Sequence, residues 1–237
     1  MVISPSRKCL DNKLLLALPE SEYKRLSLHF KPIILTAGTV IHECQEKLNY
    51  AYFPNSAMIS LLSIMETGNS TEVSLVGNEG MVGLPIILGG DYNVDRAIVS
   101  IGGTALRVEA DPLKQAFEQG ERFQNLLLFY IQTRLTQVAQ IAACNRQHTI
   151  EQRLARWLLS VYDCVLENPL PLTHELMANL LGTRRAGVTV AANKLQRAGI
   201  IQYSRGKITI LNREELENSA CECYGLIQNE LAGLHLR

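Results

Sequence analysis

The sequence predicts an α+β protein, with short strands in the first half of the chain and helices in most of the second. Three observations predict it: glycine-punctuated runs of alternating apolar residues up to Glu109, a change to a helical period after Asp111-Pro112, and a basic segment with helix and hairpin signals after residue 148. We therefore expect a strand-rich domain at 1–120, a long helix at 121–147 and a C-terminal domain at 148–237.

The composition favours a soluble globular protein of one or two domains, since 47% of the 237 residues are hydrophobic and 19% are charged. The 23 basic and 23 acidic residues cancel, so any nucleic-acid signal must be local. The N-terminus lacks the pattern of a signal peptide, and no run reaches the roughly 18 apolar residues that span a bilayer. We expect no membrane contact, a cytoplasmic location and six free cysteine thiols.

The strands of the first domain are short and closely spaced. Met58 to Met65 and Thr71 to Val76 flank a Glu-Thr-Gly-Asn-Ser turn, which predicts a β-hairpin. The apolar residues of the first of these strands fall into two interleaved sets, so both of its faces should be covered. Ala97 to Ile101 and Thr104 to Glu109 add two more strands. This spacing is typical of a small barrel or roll.

Helices follow, because Asp111 suits a helix N-cap and Pro112 the first helical position. Within 121–146, apolar residues recur at spacings of three and four, the pattern of a coiled coil. The residues of this seam are Leu128, Ile131, Leu135, Val138 and Ala142. The length of the helix and the narrowness of the seam favour a homodimer; the alternative is a single helix that lies on its own barrel.

A capping box, Thr149 with Gln152, predicts the start of the next helix, whose Trp157 we assign to the core. The segment 171–213 that follows carries a local formal charge of +6, since it holds one acid, Glu175, and seven basic residues. These are Arg184, Arg185, Lys194, Arg197, Arg205, Lys207 and Arg213. Such a cluster suits contact with phosphate groups.

The same segment has the pattern of a helix-turn-helix. Thr173 can cap a short helix, Gly182 permits a sharp turn, and Thr183 can cap a second helix that runs to about Arg197. Two short strands around Arg205-Gly206 would then form a hairpin wing.

These residues resemble the winged-helix domain of Crp/Fnr-type bacterial transcription regulators. The resemblance rests on Thr-His-Glu-Leu-Met-Ala-Asn-Leu-Leu-Gly at 173–182, on Arg185, Leu195 and Gly199-Ile-Ile, and on Arg-Gly-Lys-Ile-Thr-Ile-Leu at 205–211. Upstream, Gly38-Thr-Val-Ile and the long helix resemble that family's cyclic-nucleotide-binding-like roll and dimer helix. The resemblance implies a β-roll of the double-stranded β-helix type, a dimerisation helix and a winged helix-turn-helix.

The function that the resemblance implies is that of a sequence-specific, homodimeric transcription regulator, which binds double-stranded DNA, contacts RNA polymerase and is not an enzyme. We assign base reading to Arg185, because an arginine can donate twice to guanine. The other expected DNA contacts include Thr189, on the outer side of the second helix. The rest, which we assign mainly to phosphates, are Thr173, Thr183, Arg184, Asn193, Arg205 and Lys207.

The effector side departs from family members that bind cyclic AMP. Leu84 follows Gly83, where those members have a ribose-binding glutamate. Arg96 and Ala97 could still form the phosphate-side pair, although a plain surface arginine explains Arg96 equally well. The adenine-contacting hydroxyls would fall near Val138 and Ala139, which lack them. We therefore predict no response to cyclic AMP and leave open an unknown small-molecule effector.

We predict no catalytic residues, no cofactor and no metal site. Cys9 and Cys44 stand alone in the first half, which argues against the iron-sulfur cluster of Fnr-type sensors. Cys221 and Cys223 are too closely spaced for a usual zinc half-site and have no companion pair, so we interpret them as thiols. One alternative is a small-molecule-binding roll whose basic domain contacts proteins; a cupin-like enzyme would need clustered metal ligands that the sequence does not show.

Overall fold

The computed structural model describes residues 11–90, 92–165 and 168–236. Within them the helices are α1 (Lys13–Leu16), α2 (Glu20–Ser27), α3 (Pro85–Leu88), α4 (Ala110–Glu118), α5 (Glu121–Gln147), α6 (Ile150–Val165), α7 (His174–Leu180), α8 (Arg185–Arg197), α9 (Arg213–Ser219) and α10 (Cys223–Leu236). The strands are β1 (Lys31–Leu35), β2 (Val40–His42), β3 (Tyr50–Pro54), β4 (Met58–Ile64), β5 (Ser70–Val76), β6 (Arg96–Ile101), β7 (Gly103–Glu109), β8 (Ile201–Ser204) and β9 (Lys207–Ile210).

Two antiparallel sheets form the N-terminal roll, in the orders β1-β7-β3 and β2-β6-β4-β5. Small and branched side chains fill the space between the sheets, among them Ile59, Ala97 and Val99. The β4–β5 hairpin is confirmed, with Ile59 opposite Val76. Both faces of β4 are covered as predicted, because Met58 and Leu62 pack on the other side into the core of the C-terminal domain.

Helix α5 extends over 27 residues, as predicted, and its two long faces differ. One face is buried against the roll, with Leu127 and Tyr130 in the same apolar cluster as Phe30 and Phe53 of the roll. Leu128, Leu135, Val138 and Ala142 of the seam are exposed and Ile131 is half-buried. Of the five seam residues, only Ile131 therefore packs against the cluster that includes Phe53 of the roll, and the other four face solvent.

The helix that precedes α5 begins earlier than the sequence indicated. Helix α4 starts at Ala110, and its N-cap is Glu109, whose side chain makes no capping hydrogen bond. Asp111 and Pro112 thus lie inside the first turn, where a proline needs no hydrogen-bonded N–H. The expected N-cap role of Asp111 is wrong.

The C-terminal domain begins with the predicted capping box: the Gln152 N–H donates to Thr149 Oγ1 at 3.3 Å, and the Thr149 N–H donates to Gln152 Oε1 at 3.1 Å. Trp157 is buried in the core, as predicted, and its indole N–H also donates to Glu72 of β5 at 2.7 Å. The domain thus packs directly on the β4–β5 hairpin. None of the helices in the described ranges has the length and apolarity needed to cross a membrane.

Candidate nucleic-acid interface

Helices α7 and α8 form the predicted helix-turn-helix. Thr173 caps α7, since its Oγ1 accepts the Leu176 N–H at 3.1 Å. Gly182 has φ +58, and a Cβ there would lie 2.8 Å from Cγ2 of Thr71 on the hairpin. The turn therefore requires glycine both for its backbone conformation and for its close approach to the roll.

The N-cap of α8 is Arg184, and its side chain makes no capping hydrogen bond. The expectation that Thr183 caps this helix is therefore wrong. Thr183 lies half-buried in the turn before the helix, and Arg184 extends into solvent at its start. An exposed cation at a helix N-terminus, which is itself an anion-binding position, suits a phosphate contact.

The inner face of α8 is fixed by Val188, Ala191 and Leu195, all of them buried as predicted. On the opposite side Arg185 and Asn193 are exposed. Thr189 is half-buried, and its hydroxyl donates to the Arg185 carbonyl at 3.0 Å while it lies 3.0 Å from Nδ1 of His174. This hydroxyl is engaged within the protein.

His174 connects the helix-turn-helix to the wing. Its ring stacks on Tyr203 of β8 with 4.1 Å between centroids, and burial lowers the pKa of the imidazole, so the neutral form is favoured. Nothing in the spacing of residues 174 and 203 predicts this contact.

The wing is a two-residue hairpin between β8 and β9. Arg205 and Gly206 have φ +49 and +78, the positive pair that a type I′ turn requires. Arg205 and Lys207 are at its tip, where Lys207 is exposed and Arg205 extends into solvent. The predicted wing is therefore present with its cations at the turn.

The formal charge of +6 overstates the number of cations in this segment that are free to contact a ligand. Arg213 is held by Asp163, Glu217 and the Tyr224 hydroxyl, and Lys194 pairs with Glu151 at 2.7 Å. Arg185 has a loose contact of 3.8 Å with Glu175. In the part of the chain that the structure describes, four cations of this segment have no ion-pair partner: Arg184, Arg197, Arg205 and Lys207.

Two further positions on α8 bear on what it could read. Val190 is 62% exposed, so its methyl groups are available for apolar contact. A Cβ at Gly187 would lie 2.8 Å from Cδ1 of Ile150. The close packing of α8 on the start of α6 thus gives one physical reason for glycine at this position.

The structure does not bring the effector candidates together into one site. The Arg96 guanidinium donates to Glu43 at 2.6 Å, and both side chains are partly exposed. Ala97, the next residue of β6, is fully buried in the packed interior between the two sheets. Leu84 packs against the apolar cluster that includes Phe53.

The interpretation of Cys221 and Cys223 as thiols without companions needs correction. Both lie in a buried cluster with Cys144, and His148 completes a group whose ligand atoms all lie within 4.8 Å of one another. We call these four residues the Cys3His cluster. Cys144 and His148 are four apart at the end of α5, a helical spacing that could have signalled a half-site. Cys9 lies outside the described residues.

A helix-turn-helix whose second helix is exposed and basic, followed by a hairpin wing, defines a winged-helix domain of the DNA-binding type. Residues 152–219 match the family of Crp-like helix-turn-helix domains. The chain therefore contains a Crp-like helix-turn-helix domain. No curated protein matches the chain.

Solved structures of Crp/Fnr-type regulators have the same overall fold. FixK2 from Bradyrhizobium japonicum superposes with a TM-score of 0.70 at 17% identity, over 81% of this chain and 98% of that one. TTHA1359, a CRP/FNR-family transcriptional regulator from Thermus thermophilus, gives 0.66 at 22% identity, over 80% and 98%. CLP, the c-di-GMP responsive global regulator of Xanthomonas campestris, gives 0.66 at 14% identity, over 81% and 99%. The predicted architecture of roll, long helix and winged helix is confirmed.

Proposed function

We propose that this chain is a homodimeric, sequence-specific DNA-binding transcription regulator that does not respond to cyclic AMP. In this proposal residues 1–120 form the sensor domain, 121–147 the dimerisation helix and 148–237 the DNA-binding domain. The proposal includes a cytoplasmic location, where the DNA lies, and contact with RNA polymerase. The observation that carries the proposal is the free cationic surface on α8 and the wing, displayed by a Crp-like helix-turn-helix.

The exposed seam of α5 supports the dimer. A helix of 27 residues is roughly 40 Å long, and Leu135 is 68% exposed at the middle of the seam. Burying such a stripe against the same stripe of a second copy would remove apolar area from water over several turns. Such a pair of stripes implies a two-fold axis between the two α5 helices. Two copies related by this axis would present two α8 helices to successive major grooves.

Within this interface Arg185 is the base-reading residue, because its exposed side chain is held only by the loose contact with Glu175. Arg184, Arg205 and Lys207 contact phosphates, together with Asn193 and the hydroxyls of Thr173, Thr183 and Thr189. The Thr189 hydroxyl contributes less, since it already donates to the Arg185 carbonyl, whereas the Thr173 hydroxyl only accepts a hydrogen bond and can still donate to a phosphate.

The first test is affinity for duplex DNA at two salt concentrations, with duplexes selected from a random pool. A dimer that contacts about 6 to 10 phosphates should lose roughly 10³- to 10⁵-fold in affinity between about 50 and 200 mM salt. Arg184→Ala should flatten this dependence by about one unit per chain. Lys114→Ala is the matched control, since Lys114 is an exposed cation on α4, and it should leave the salt slope unchanged.

Weak binding at both salt concentrations would contradict the proposal and favour the alternative, a roll protein whose basic domain contacts other proteins. Equal affinity for all duplexes in the pool would contradict sequence-specific reading.

A further inference from the structure

The Cys3His cluster joins three parts of the fold that are far apart in sequence. Cys144 lies in the last turn of α5, and His148 lies at the junction of α5 and α6. Cys221 lies between α9 and α10, and Cys223 is the first residue of α10. All three cysteines are buried and His148 is largely so.

The geometry of the cluster is close to that of a tetrahedral metal site. The Cys144 and Cys221 sulfurs are 3.5 Å apart, and the Cys223 sulfur is 3.6 Å from Nδ1 of His148. Around a tetrahedral Zn²⁺, two thiolate sulfurs lie about 3.8 Å apart, and a sulfur and an imidazole nitrogen about 3.6 Å. These two distances are thus close to the spacing that zinc imposes, and all four ligand atoms lie within 4.8 Å of one another.

The surroundings of the cluster match those of metal ligands rather than of packed thiols. His148 turns Nδ1 toward the sulfurs and places Nε2 3.2 Å from the Glu222 carboxylate, the arrangement that orients a metal-bound imidazole. The Gln140 amide donates to the Cys223 sulfur at 3.0 Å. Arg156 of α6, a buried cation, interacts electrostatically with Cys144. Hydrophobic packing of thiols explains none of these polar contacts.

We propose that the Cys3His cluster is a Zn²⁺ site in which Cys144, Cys221, Cys223 and Nδ1 of His148 are the four ligands. Zn²⁺ would replace the thiol protons, which go to solvent, and three thiolates with one neutral imidazole would leave a net charge of −1 on the site. The positive charge of Arg156, which interacts with Cys144, would partly offset it. A tetrahedral set of sulfur and nitrogen ligands with no fifth position is typical of a structural zinc site.

Occupancy of the site would fix how the C-terminal domain sits on the dimerisation helix, because the ion would connect the end of α5 to the start of α10. This consequence rests on the proposed function. Removal of Zn²⁺ should therefore lower the affinity for the selected duplex, by about 5- to 150-fold if the coupling has the usual size. Unchanged affinity of the metal-free protein would overturn this coupling.

The test of the site itself uses no DNA, so it is independent of the proposed function. The reduced, metal-free full chain is titrated with Co²⁺ and then with Zn²⁺. We expect one ion per chain, the intense visible absorption of tetrahedral thiolate-bound Co²⁺, and its loss as Zn²⁺ displaces it. Failure of the reduced wild-type chain to bind either ion at micromolar concentration would overturn the proposal. So would a Cys144–Cys221 disulfide in the isolated protein whose reduction restores no metal binding.

Variants assign the ligands. Cys221→Ser and His148→Ala should abolish the tetrahedral Co²⁺ spectrum, whereas Cys44→Ser, which changes a cysteine of the roll, should retain it. Glu222→Gln is the sharpest variant, because the side chain is 71% exposed and its loss should not affect folding. It should weaken Zn²⁺ binding about 10- to 100-fold, while Glu214→Gln, an exposed glutamate of α9, should not. Equal effects of the two glutamate variants would contradict the assigned orientation of His148.

Discussion

Arg184 at the start of α8 and Arg96 on the roll lie at the two places where a Crp-like protein would contact its ligands, and their surroundings differ. Arg184 is exposed at the start of α8 and has no ion-pair partner among the described residues. Arg96 donates to Glu43 at 2.6 Å, and the neighbouring Ala97 is buried in a filled interior. The DNA-binding domain keeps its cations available for phosphates, whereas the roll uses its arginine within the protein.

The largest effect on DNA binding is expected from the seam of α5, which would hold the DNA-binding domains of two copies together. Leu135→Glu would place two like charges near the axis of the proposed dimer, where neither has a partner. We expect a monomer in sedimentation and a loss of operator affinity of about 10²-fold or more, because a monomer binds one half-site at a time. The fold of the roll should persist. Asn125→Glu, at an exposed position of α5 outside the seam, is the control. A dimeric Leu135→Glu protein would move the interface elsewhere.

A smaller effect separates base reading from phosphate contact within the DNA face. Arg185→Ala should cost about 1 to 3 kcal/mol and relax the preference at one guanine in each half-site. Its contact with Glu175 is exposed and loose, so stability should change little. Lys207→Ala should instead weaken binding to all duplexes alike. Binding measured on single-base variants of the operator distinguishes the two outcomes, and a uniform loss for Arg185→Ala would make it a phosphate contact.

The junction between the roll and the C-terminal domain contains a buried carboxyl group. Glu72 of β5 accepts hydrogen bonds from Ser60 at 2.5 Å and from Trp157 of the C-terminal domain at 2.7 Å. Burial nevertheless raises the pKa of Glu72 from 4.5 to about 7. The folded protein thus holds this proton more tightly than the unfolded chain. Protonated Glu72 therefore contributes to the free energy of unfolding at low pH, and this contribution is lost as the pH rises from about 4.5 to about 7.

Glu72→Gln removes that dependence and keeps an acceptor for the indole N–H. At pH 8 the variant should be more stable than the wild type by about 1 to 3 kcal/mol, and the gain should shrink as the pH falls toward 4.5. Urea unfolding at pH 5 and pH 8 measures it. Glu66→Gln, in the exposed hairpin turn, should show no such trend. A variant that is less stable at pH 8 would show that the ionised carboxylate is the favoured form.

Local patterns in the sequence predicted most of the fold, and contacts between distant segments account for what they missed. The Thr149 capping box and the seam of α5 depend on residues a few positions apart, so spacing alone reveals them. The assignment of Thr183 as a cap failed because the chain turns one residue later, at Arg184. The Cys3His cluster brings Cys144 together with Cys221, which follows it by 77 residues, and no local period connects them. Likewise the charge of Arg213 counts toward the segment but is neutralised by Asp163 of α6.

The smallest expected effect is that of cyclic AMP, which should not bind the roll and should not alter the affinity for DNA. The ribose would meet Leu84 in place of a carboxylate, and adenine would meet Val138 and Ala139, whose side chains form no hydrogen bonds. Its phosphate would have to displace Glu43 from Arg96. Each polar group left unpaired costs roughly 1 to 3 kcal/mol, so two or three such losses remove useful affinity. Calorimetry should detect no binding at micromolar cyclic AMP, and the affinity for the operator should stay the same in its presence. Micromolar binding would show that the roll retains a ligand site and would contradict the difference inferred between Arg96 of the roll and Arg184 of the DNA-binding domain.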